Sequence, residues 1–329
     1  MNLPSEFISN IQGVFKEEGH AFLKALPNLI TEASARWGLT DVRPAPTLSY
    51  NFVAFARRGK VISPYDTISP QTKGRGDPAP TDVVLKMGVP NDEMRSEMAA
   101  LRLFDGEGAC KLLDYDEERC WMLLEKLNPG VMLSTLEDDE EATHIAADVM
   151  KRIWVPLESD SLLSVREQAP AFHKFIQLTD WFDGLKRLRN MYDGGTGPLN
   201  EKLVERVESS VKDFFAENHS PVLMHGDFHH FNILSSERGW LVIDPKGVIG
   251  PAGYEVGPFM INPWGKLSDG ISRPLILKRI DILHEHLGFE RERILEWSLA
   301  HAILSAWWGV EDRTGWEYAS NFAEMLASL

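Results

Sequence analysis

The hydrophobic positions of the first 40 residues recur at the spacing of one helix face, and beyond them the pattern changes to short apolar runs. Strand-like runs lie at 48–56, 81–87, 108–115 and 119–127. The last two runs flank an acidic turn, which predicts a hairpin, and residues 90–104 open with the signals of a helix start. After the N-terminal helical segment, the predicted order is therefore strand, strand, helix, strand, strand.

From residue 128 the pattern becomes mainly helical. Helical spacing recurs at 140–157, 167–190, 200–217, 274–287, 291–309 and 314–328. The exception is 221–247, where two short apolar runs are joined by the turn 236–239, and this segment predicts a hairpin. The sequence therefore predicts an α+β fold of two lobes, a small sheet-containing lobe at 1–127 and a larger, mainly helical lobe at 128–329.

Residues 57–80 interrupt the pattern of the smaller lobe. The segment contains four Pro and three Gly, and it predicts a long polar connection between two strands. Its Gly74-Arg75-Gly76 is a weak match to a phosphate-binding loop, because a lone G-x-G in a Pro-rich segment has little specificity. We interpret 57–80 as an insertion and residues 1–40 as an N-terminal helical extension of this lobe.

Composition and charge narrow the class of protein. The chain has 43% hydrophobic and 25% charged residues, which is typical of a globular protein. No apolar run reaches the roughly 18–20 residues that a membrane span needs. The two cysteines, Cys110 and Cys120, fit a reducing compartment, so we expect a cytoplasmic protein with no membrane segment.

The net charge of −15 disfavours a nucleic-acid partner, because phosphate contacts require clustered Lys and Arg. Most of the acidic excess lies in residues 128–329. This excess either serves solubility alone or attracts a cationic small-molecule substrate to the larger lobe.

The segment HGDFHHFNIL carries the strongest chemical signal in the chain. Asp227 and Asn232 are five positions apart, and Asp244 ends the second apolar run of the predicted hairpin. Asn232 and Asp244 can therefore converge at one end of the hairpin, and their oxygens are the hard ligands that Mg²⁺ prefers. Asp227 lies in the loop just before the hairpin, where it can face a substrate.

This motif, together with WLVIDPKGVIGPAGYEVGPFMINP, resembles the aminoglycoside and hydroxyurea phosphotransferase family, in particular its streptomycin 6-kinase-like branch. The resemblance implies a two-lobed protein-kinase-like fold and transfer of a phosphoryl group from ATP to a small-molecule hydroxyl. It implies that Asp227 is the catalytic residue and that Asn232 and Asp244 hold Mg²⁺. The implied acceptor is an aminoglycoside such as streptomycin.

The smaller lobe supplies residues that fit such a site. Lys86 ends an apolar strand-like run, and a kinase-like site needs a Lys on the ATP phosphates, held by a Glu of the following helix. Glu97 is the preferred partner because SEMAALRLFDGEGA is similar to the family's helix, and Glu93 is the alternative. MLLEKLNPG resembles the family's hinge, so we expect the backbone of Glu125 to Leu127 to meet the adenine.

The sequence departs from the kinase pattern at the phosphate loop, where it has no G-x-G-x-x-G. LSYNFV at the first strand turn resembles this branch of the family, so Ser49, Tyr50 and Asn51 are expected to cover the phosphates. The insertion 57–80 is also longer than the connection typical of the family.

Three histidines, His225, His229 and His230, surround Asp227 and raise the alternative of a zinc-dependent hydrolase. Their order, H-x-D-x-H-H, differs from the H-x-H-x-D-H pattern of dinuclear hydrolases. We therefore expect His225 to orient the catalytic loop by hydrogen bonds, and His229 or His230 to lie near the phosphates.

The acceptor pocket is predicted from the end of the chain and from the segment after Asp244. The family tends to build this pocket from its C-terminal helices, which nominates Glu311 and Asp312, and Glu255 is a further candidate. Two other functions stay open, a metabolic kinase for a sugar or amino alcohol and a catalytically silent binding module. The intact set of motif residues argues against the silent module.

Overall fold

The computed structural model describes residues 3–59, 81–157, 175–217, 220–264 and 273–329. The chain divides into two compact units, the first made of Met1–Met98 with Cys110–Lys126 and the second of Ala99–Ala109 with Leu127–Leu329. The predicted boundary at 127 assigned Ala99–Ala109 to the first lobe, whereas the contacts of this segment place it in the second unit. Most of the insertion predicted at 57–80 lies outside the described residues.

The first unit is built on a five-stranded antiparallel sheet in the order β1-β2-β3-β5-β4. Its strands are β1 Leu39–Pro44, β2 Phe52–Arg58, β3 Thr81–Met87, β4 Leu112–Asp116 and β5 Trp121–Glu125. Two helices accompany them, α1 Ser5–Trp37 and the part of α2 Asp92–Phe104 that ends at Met98. The hairpin of β4 and β5 and both helices were predicted, but the edge strand β1 was not, because the predicted helical segment extended to residue 40. Gly38, in the left-handed conformation at φ 63°, ends α1 and allows β1 to begin.

Helix α1 contains a sharp break at Lys16, where φ is 48° and ψ is −118°. The break brings the arms before and after it together, so that a Cβ atom on Gly19 would overlap the backbone oxygen of Ile11. The buried side chains of the helix, among them Phe7 and Trp37, join the sheet residues in one hydrophobic core. The N-terminal segment is therefore part of the first unit's core and not an appendage to it.

Within the described ranges, the second unit contains two small sheets and most of the helices. Its strands are β6 Pro129–Met132, β7 Val155–Pro156, β8 Ile176–Gln177, β9 Val222–Met224, β10 Ile233–Ser236, β11 Gly239–Val242 and β12 Val248–Gly250. Its helices are α3 Asp139–Ile153, α4 Leu178–Phe182, α5 Gly184–Met191, α6 Glu201–Ala216, α7 Val256–Met260, α8 Arg273–Leu287, α9 Arg291–Asp312 and α10 Glu317–Ala327.

The predicted hairpin of the second unit is present as β10 and β11, with Ile233 opposite Val242. β6 adds a third strand beside β10, and a separate four-stranded sheet has the order β7-β9-β12-β8. Helix α9 lies among the other helices and buries most of its length, including Trp297 and Trp307. The helix predicted at 167–190 is corrected in its described part, where β8 precedes the two short helices α4 and α5.

Gly19 provides a test of the close contact within α1. Gly19→Ala should lower the free energy of unfolding by about 1–3 kcal/mol, because the added methyl group overlaps fixed backbone of Ile11. Gly13 lies in the same helix, and nothing lies within 4 Å of a methyl group added there. Gly13→Ala should therefore stabilise the chain by up to about 1 kcal/mol. Thermal unfolding of both variants measures the difference, and a Gly19→Ala variant as stable as Gly13→Ala would show that the arms do not touch.

Candidate functional site

The loop between β9 and β10 holds Asp227 by its backbone and leaves its side chain accessible. The backbone N–H of Asp227 donates to Nδ1 of His225 at 3.1 Å, and its carbonyl oxygen accepts from Nδ2 of Asn232 at 3.1 Å. The Asp227 side chain is 41% exposed. The loop therefore presents a carboxylate whose position is set by two hydrogen bonds to its own main chain.

Glu255 supports this loop from inside the protein. Its Oε2 accepts from the backbone N–H of His225 at 2.9 Å, and its Oε1 accepts from that of Gly226 at 2.8 Å. The residue is fully buried, and burial raises the pKa of its carboxyl group to about 8, although the two N–H donors oppose this rise. The prediction that Glu255 contacts substrate is therefore corrected, because both oxygens are enclosed and bound to the loop.

His225 connects the loop to the end of β11. Its Nδ1 accepts from the Asp227 N–H, so its proton is on Nε2, which donates to the carbonyl oxygen of Ile243 at 2.8 Å. Burial lowers the pKa of His225 to about 4, so the ring is neutral near pH 7. Both ring nitrogens are occupied, and no group of three or more potential metal ligands of the His, Cys, Asp and Glu types occurs among the described residues. The zinc alternative is therefore not supported.

Asn232 and Asp244 lie at the same end of the β10–β11 hairpin. The carbonyl oxygen of Asn232 accepts from the N–H of Ile243 at 2.9 Å, so the residue before Asp244 is bonded directly to Asn232. Because Nδ2 of Asn232 donates a hydrogen bond to the carbonyl oxygen of Asp227, Oδ1 of Asn232 points away from that carbonyl group. Asp244 has a left-handed backbone at φ 57°. An amide oxygen and a carboxylate at adjacent positions form a donor set that fits Mg²⁺.

Gly226 is required by the shape of the loop for two reasons. Its φ is +86°, a conformation that side chains with L chirality rarely adopt, and a Cβ atom there would overlap the side chain of Val248. The same Cβ would lie 3.2 Å from Cη2 of Trp181. The backbone next to Asp227 is thus packed directly against β12 and an indole ring.

The two histidines after Asp227 have different surroundings. Nε2 of His229 lies 3.5 Å from Oδ1 of Asp227, at the accessible side of the loop. His230 is buried and stacks on Phe259, with ring centroids 4.2 Å apart, and its Nε2 lies 3.5 Å from the buried guanidinium of Arg279. Of the pair expected near the phosphates, His230 therefore belongs to the core of the second unit.

In the first unit, Lys86 and Glu97 form a buried ion pair. Nζ of Lys86 lies 2.6 and 2.7 Å from the two carboxylate oxygens of Glu97, and the two residues are 3% and 5% exposed. Glu93, the alternative partner, is exposed on α2. β3 sets the position of Lys86, which is in register with Val53 of β2 and Met122 of β5.

The expected phosphate-loop residues lie at the turn before β2. The carbonyl oxygen of Ser49 accepts from Asn10 at 3.4 Å, and Tyr50 is 48% exposed. The side-chain oxygen of Asn51 lies against Gly88, so closely that a Cβ atom on Gly88 would overlap it. Ser49 therefore contacts α1 and Asn51 contacts the residue after β3, while Tyr50 between them is exposed.

The hinge and the C-terminal acidic residues differ in part from expectation. The backbone N–H of Glu125 donates to the carbonyl oxygen of Lys111 at 2.9 Å, which removes it from the donors that could meet an adenine, and Leu127 is buried. Glu311 accepts two hydrogen bonds from Arg187, at 2.7 and 3.0 Å, and Asp312 is exposed at the end of α9.

Four aromatic residues near Asp227 form a cluster that was not predicted from the sequence. They are Trp181, Tyr254, His301 and Trp308. Tyr254 immediately precedes Glu255, so the motif region gave a signal for it, but Trp181 and His301 lie 46 positions before and 74 after Asp227. No short-range sequence pattern could have brought these two residues together with the loop.

The fold is one that kinases of small molecules have. The structure is similar to that of a choline/ethanolamine kinase family protein from Mesorhizobium loti, with a TM-score of 0.58 at 13% identity over 91% of this chain and 94% of that chain. It is also similar to an aminoglycoside phosphotransferase bound to ADP and hygromycin B, with a TM-score of 0.57 at 12% identity over 91% and 96% of the two chains.

Sequence comparison specifies the family. The model of the aminoglycoside/hydroxyurea antibiotic resistance kinases matches residues 62–313, and the chain belongs to this family. It is 29% identical to the streptomycin 6-kinase of Streptomyces griseus over 90% of this chain and 87% of that protein. It is 28% identical to the hydroxyurea phosphotransferase of Kitasatospora aureofaciens over 95% and 81%. The expected fold, family and enzyme class, a phosphotransferase with an alcohol group as acceptor, are thereby confirmed.

None of the helices in the described ranges combines the length and the apolar character that crossing a membrane would demand.

The two constraints on Gly226 can be separated with a second glycine. Gly226→Ala should destabilise the second unit by more than the about 1–2 kcal/mol expected for a left-handed alanine, and should abolish transfer, because the methyl group also displaces Val248. Gly239 has a similar φ of +90°, and nothing lies within 4 Å of a Cβ atom built there. Gly239→Ala should therefore show only the cost of the left-handed backbone and should retain activity. Thermal unfolding and a turnover assay compare the variants, and equal effects of both would contradict the packing argument.

Proposed function

We propose that the protein transfers the γ-phosphoryl group of ATP, in the presence of Mg²⁺, to a hydroxyl group of a small antibiotic, with streptomycin as the first candidate. The observation that carries the proposal is the catalytic loop, in which Asp227 is accessible while its main chain is bonded to Asn232, His225 and, through Gly226, to Glu255. The names of the relatives support an antibiotic as the acceptor. The two free, buried cysteines are consistent with a reaction in the cytoplasm.

The first unit supplies a cation for the phosphates of ATP in this proposal. Lys86 is held by both oxygens of Glu97, so the direction of its ammonium group is set before a nucleotide binds. A Lys positioned in this way offsets the negative charge of the phosphates and needs little rearrangement in the transition state. The exposed turn at Ser49, Tyr50 and Asn51 would cover the phosphates.

The second unit supplies the ligands for Mg²⁺, which would neutralise charge on the phosphate oxygens when bound. Asn232 would contribute Oδ1 and Asp244 its carboxylate, and the hydrogen bond between Asn232 and Ile243 keeps these two donors together. The hydrogen bond from Nδ2 of Asn232 to the carbonyl oxygen of Asp227 links the metal ligands to the catalytic residue.

Asp227 would accept a hydrogen bond from the acceptor hydroxyl and orient it towards the γ-phosphorus. A carboxylate is too weak a base to deprotonate an alcohol in advance, so Asp227 would take the proton as the new P–O bond forms. The oxygen–phosphorus bond to ADP breaks in the same step. Most of the rate enhancement then comes from positioning and from charge neutralisation.

The two aspartates have different functions in this mechanism and can be distinguished by substitution. Asp227→Asn should leave the affinity for ATP with Mg²⁺ within a few-fold of wild type, while kcat falls by roughly 10²–10⁴-fold, the range for a positioned acid–base group. Asp244→Ala should weaken nucleotide binding as well as transfer. Calorimetry with ATP and Mg²⁺ and a turnover assay measure both effects. Loss of nucleotide affinity in Asp227→Asn would make Asp227 a metal ligand, and normal turnover would refute the proposed function.

Lys86 and Glu97 should behave as one unit. Lys86→Met and Glu97→Gln should each lower kcat/KM by about 10²–10³-fold, and the double variant should be little worse than the weaker single variant. Thermal unfolding tests the same coupling, because each single change leaves one buried charge without its counter-charge. Arg36→Ala removes an exposed ion pair with Asp116 in the same unit and should leave activity unchanged. Multiplicative losses in the double variant would show that the pair does not act jointly.

A further inference from the structure

The side of the catalytic loop that faces helix α9 is lined by aromatic rings. Trp181 packs against Gly226, and its ring meets that of Trp308 edge to face, with centroids 5.5 Å apart at 88°. Both tryptophans are partly exposed, whereas Tyr254 and His301 beneath them are buried. The second unit thus has an accessible indole corner next to the backbone of the catalytic residue.

His301 is fixed in one tautomer by Tyr254. The two side chains are joined by a hydrogen bond of 2.9 Å between the Tyr254 hydroxyl and Nδ1 of His301. Burial raises the pKa of Tyr254 well above its ordinary value and lowers that of His301 to about 4, so both groups are neutral near pH 7. The hydroxyl of the fully buried Tyr254 has no other acceptor among the described residues, so it donates its hydrogen bond to Nδ1 of His301. The imidazole proton of His301 is therefore on Nε2.

Among the described residues no hydrogen bond to this Nε2–H donor is found, and Nε2 is not one of the fully enclosed atoms that lack a partner. The ring retains 7% exposure, so water or a small ligand group can reach the donor. His301 lies near the loop, because its ring centroid is 6.2 Å from that of Trp308 and Trp308 meets the Trp181 ring that packs against Gly226. The negative charge of Asp227 opposes the fall in the pKa of His301. A group that displaces water from this donor must accept its hydrogen bond, because an N–H left without a partner costs free energy. A ligand oxygen beside the catalytic carboxylate is the group that would do so.

We propose that Nε2–H of His301, with the indoles of Trp181 and Trp308, forms the acceptor-binding surface and selects acceptors that carry a second oxygen next to the reactive hydroxyl. This inference rests on the proposed function and specifies its substrate class. Asp227 accepts the proton of one oxygen while His301 donates to the neighbouring one. A vicinal hydroxyl of a ring and the carbonyl beside an N-hydroxyl both meet this requirement.

The same geometry disfavours simple amino alcohols. Their group next to the hydroxyl is an ammonium, which is only a donor and cannot accept from the N–H of His301. A neutral imidazole fixed as a donor would therefore face another donor, and each would lose its partner. The tautomer of His301 thus distinguishes oxygen-rich acceptors from amino alcohols.

The test compares phosphate transfer to streptomycin, hydroxyurea, myo-inositol and ethanolamine by wild type, His301→Phe, His301→Gln and Tyr254→Phe. His301→Phe should raise KM for the oxygen-rich acceptors about 10–100-fold, because losing one hydrogen bond lowers the affinity by roughly one to two factors of ten. KM for ATP should stay within about twofold of the wild-type value. His301→Gln should recover part of this loss because its amide restores an N–H donor. Tyr254→Phe should raise KM less, because it frees the tautomer without removing the ring.

The matched control is His286→Phe. His286 lies on α8 and pairs with His144, and its substitution should leave the KM values at those of wild type. Unchanged acceptor KM in His301→Phe and Tyr254→Phe, with an active wild type, would overturn the inference and leave the proposed function intact. Transfer to myo-inositol but not to the antibiotics, with the same loss in His301→Phe, would overturn the antibiotic assignment and support the inference. Transfer to ethanolamine alone, or to none of the four, would overturn both.

Discussion

The buried carboxyl group of Glu255 is the constraint on which the loop that carries Asp227 depends. Two consecutive backbone N–H groups, those of His225 and Gly226, point inward and need acceptors away from water. One side chain satisfies both, and this arrangement requires the left-handed backbone at Gly226. The backbone position of Asp227 follows from these contacts, although Glu255 is itself fully enclosed.

A second buried polar group, Arg279, organises the helices behind the loop. Its guanidinium pairs with Asp139 at the start of α3 and donates to the backbone carbonyl oxygens of Phe259, Met260 and Asn262. A fully buried Arg is tolerated because each of its nitrogens has an acceptor. His230 completes the layer by stacking on Phe259, and the chain after Glu255 is thereby held against α8.

Much of the fold follows from local patterns, and the remainder depends on contacts between distant residues. The β10–β11 hairpin and the helix that carries Glu97 could be predicted because their turn and start signals lie within a few residues. The four-stranded sheet could not, since its strands have two or three residues and show no periodicity. β1 escaped prediction because an edge strand buries few side chains, and LTDVRP has little alternation.

The candidate site divides in the same way. The expectation that Asn232 and Asp244 meet at one end of the hairpin needed only the local turn signal between them. The roles of Glu255 and His301 depend on backbone groups and tautomers that arise only after the chain has folded. A sequence pattern shows that Glu255 is acidic but not that two N–H groups 29 and 30 positions away use both of its oxygens.

The packing of α9 against the segment around Glu255 restricts how acceptor preference can diverge in evolution. A side chain larger than glycine at Gly253 would overlap Trp297, and one at Gly257 would overlap His301. One face of α9 therefore supports the catalytic loop and also presents the ring that we place at the acceptor, so changes there alter both properties at once. Trp181 and Trp308, which are partly exposed, can vary with less effect on the loop. New substrate ranges should consequently arise first at this rim, and the helix face beneath it should change slowly.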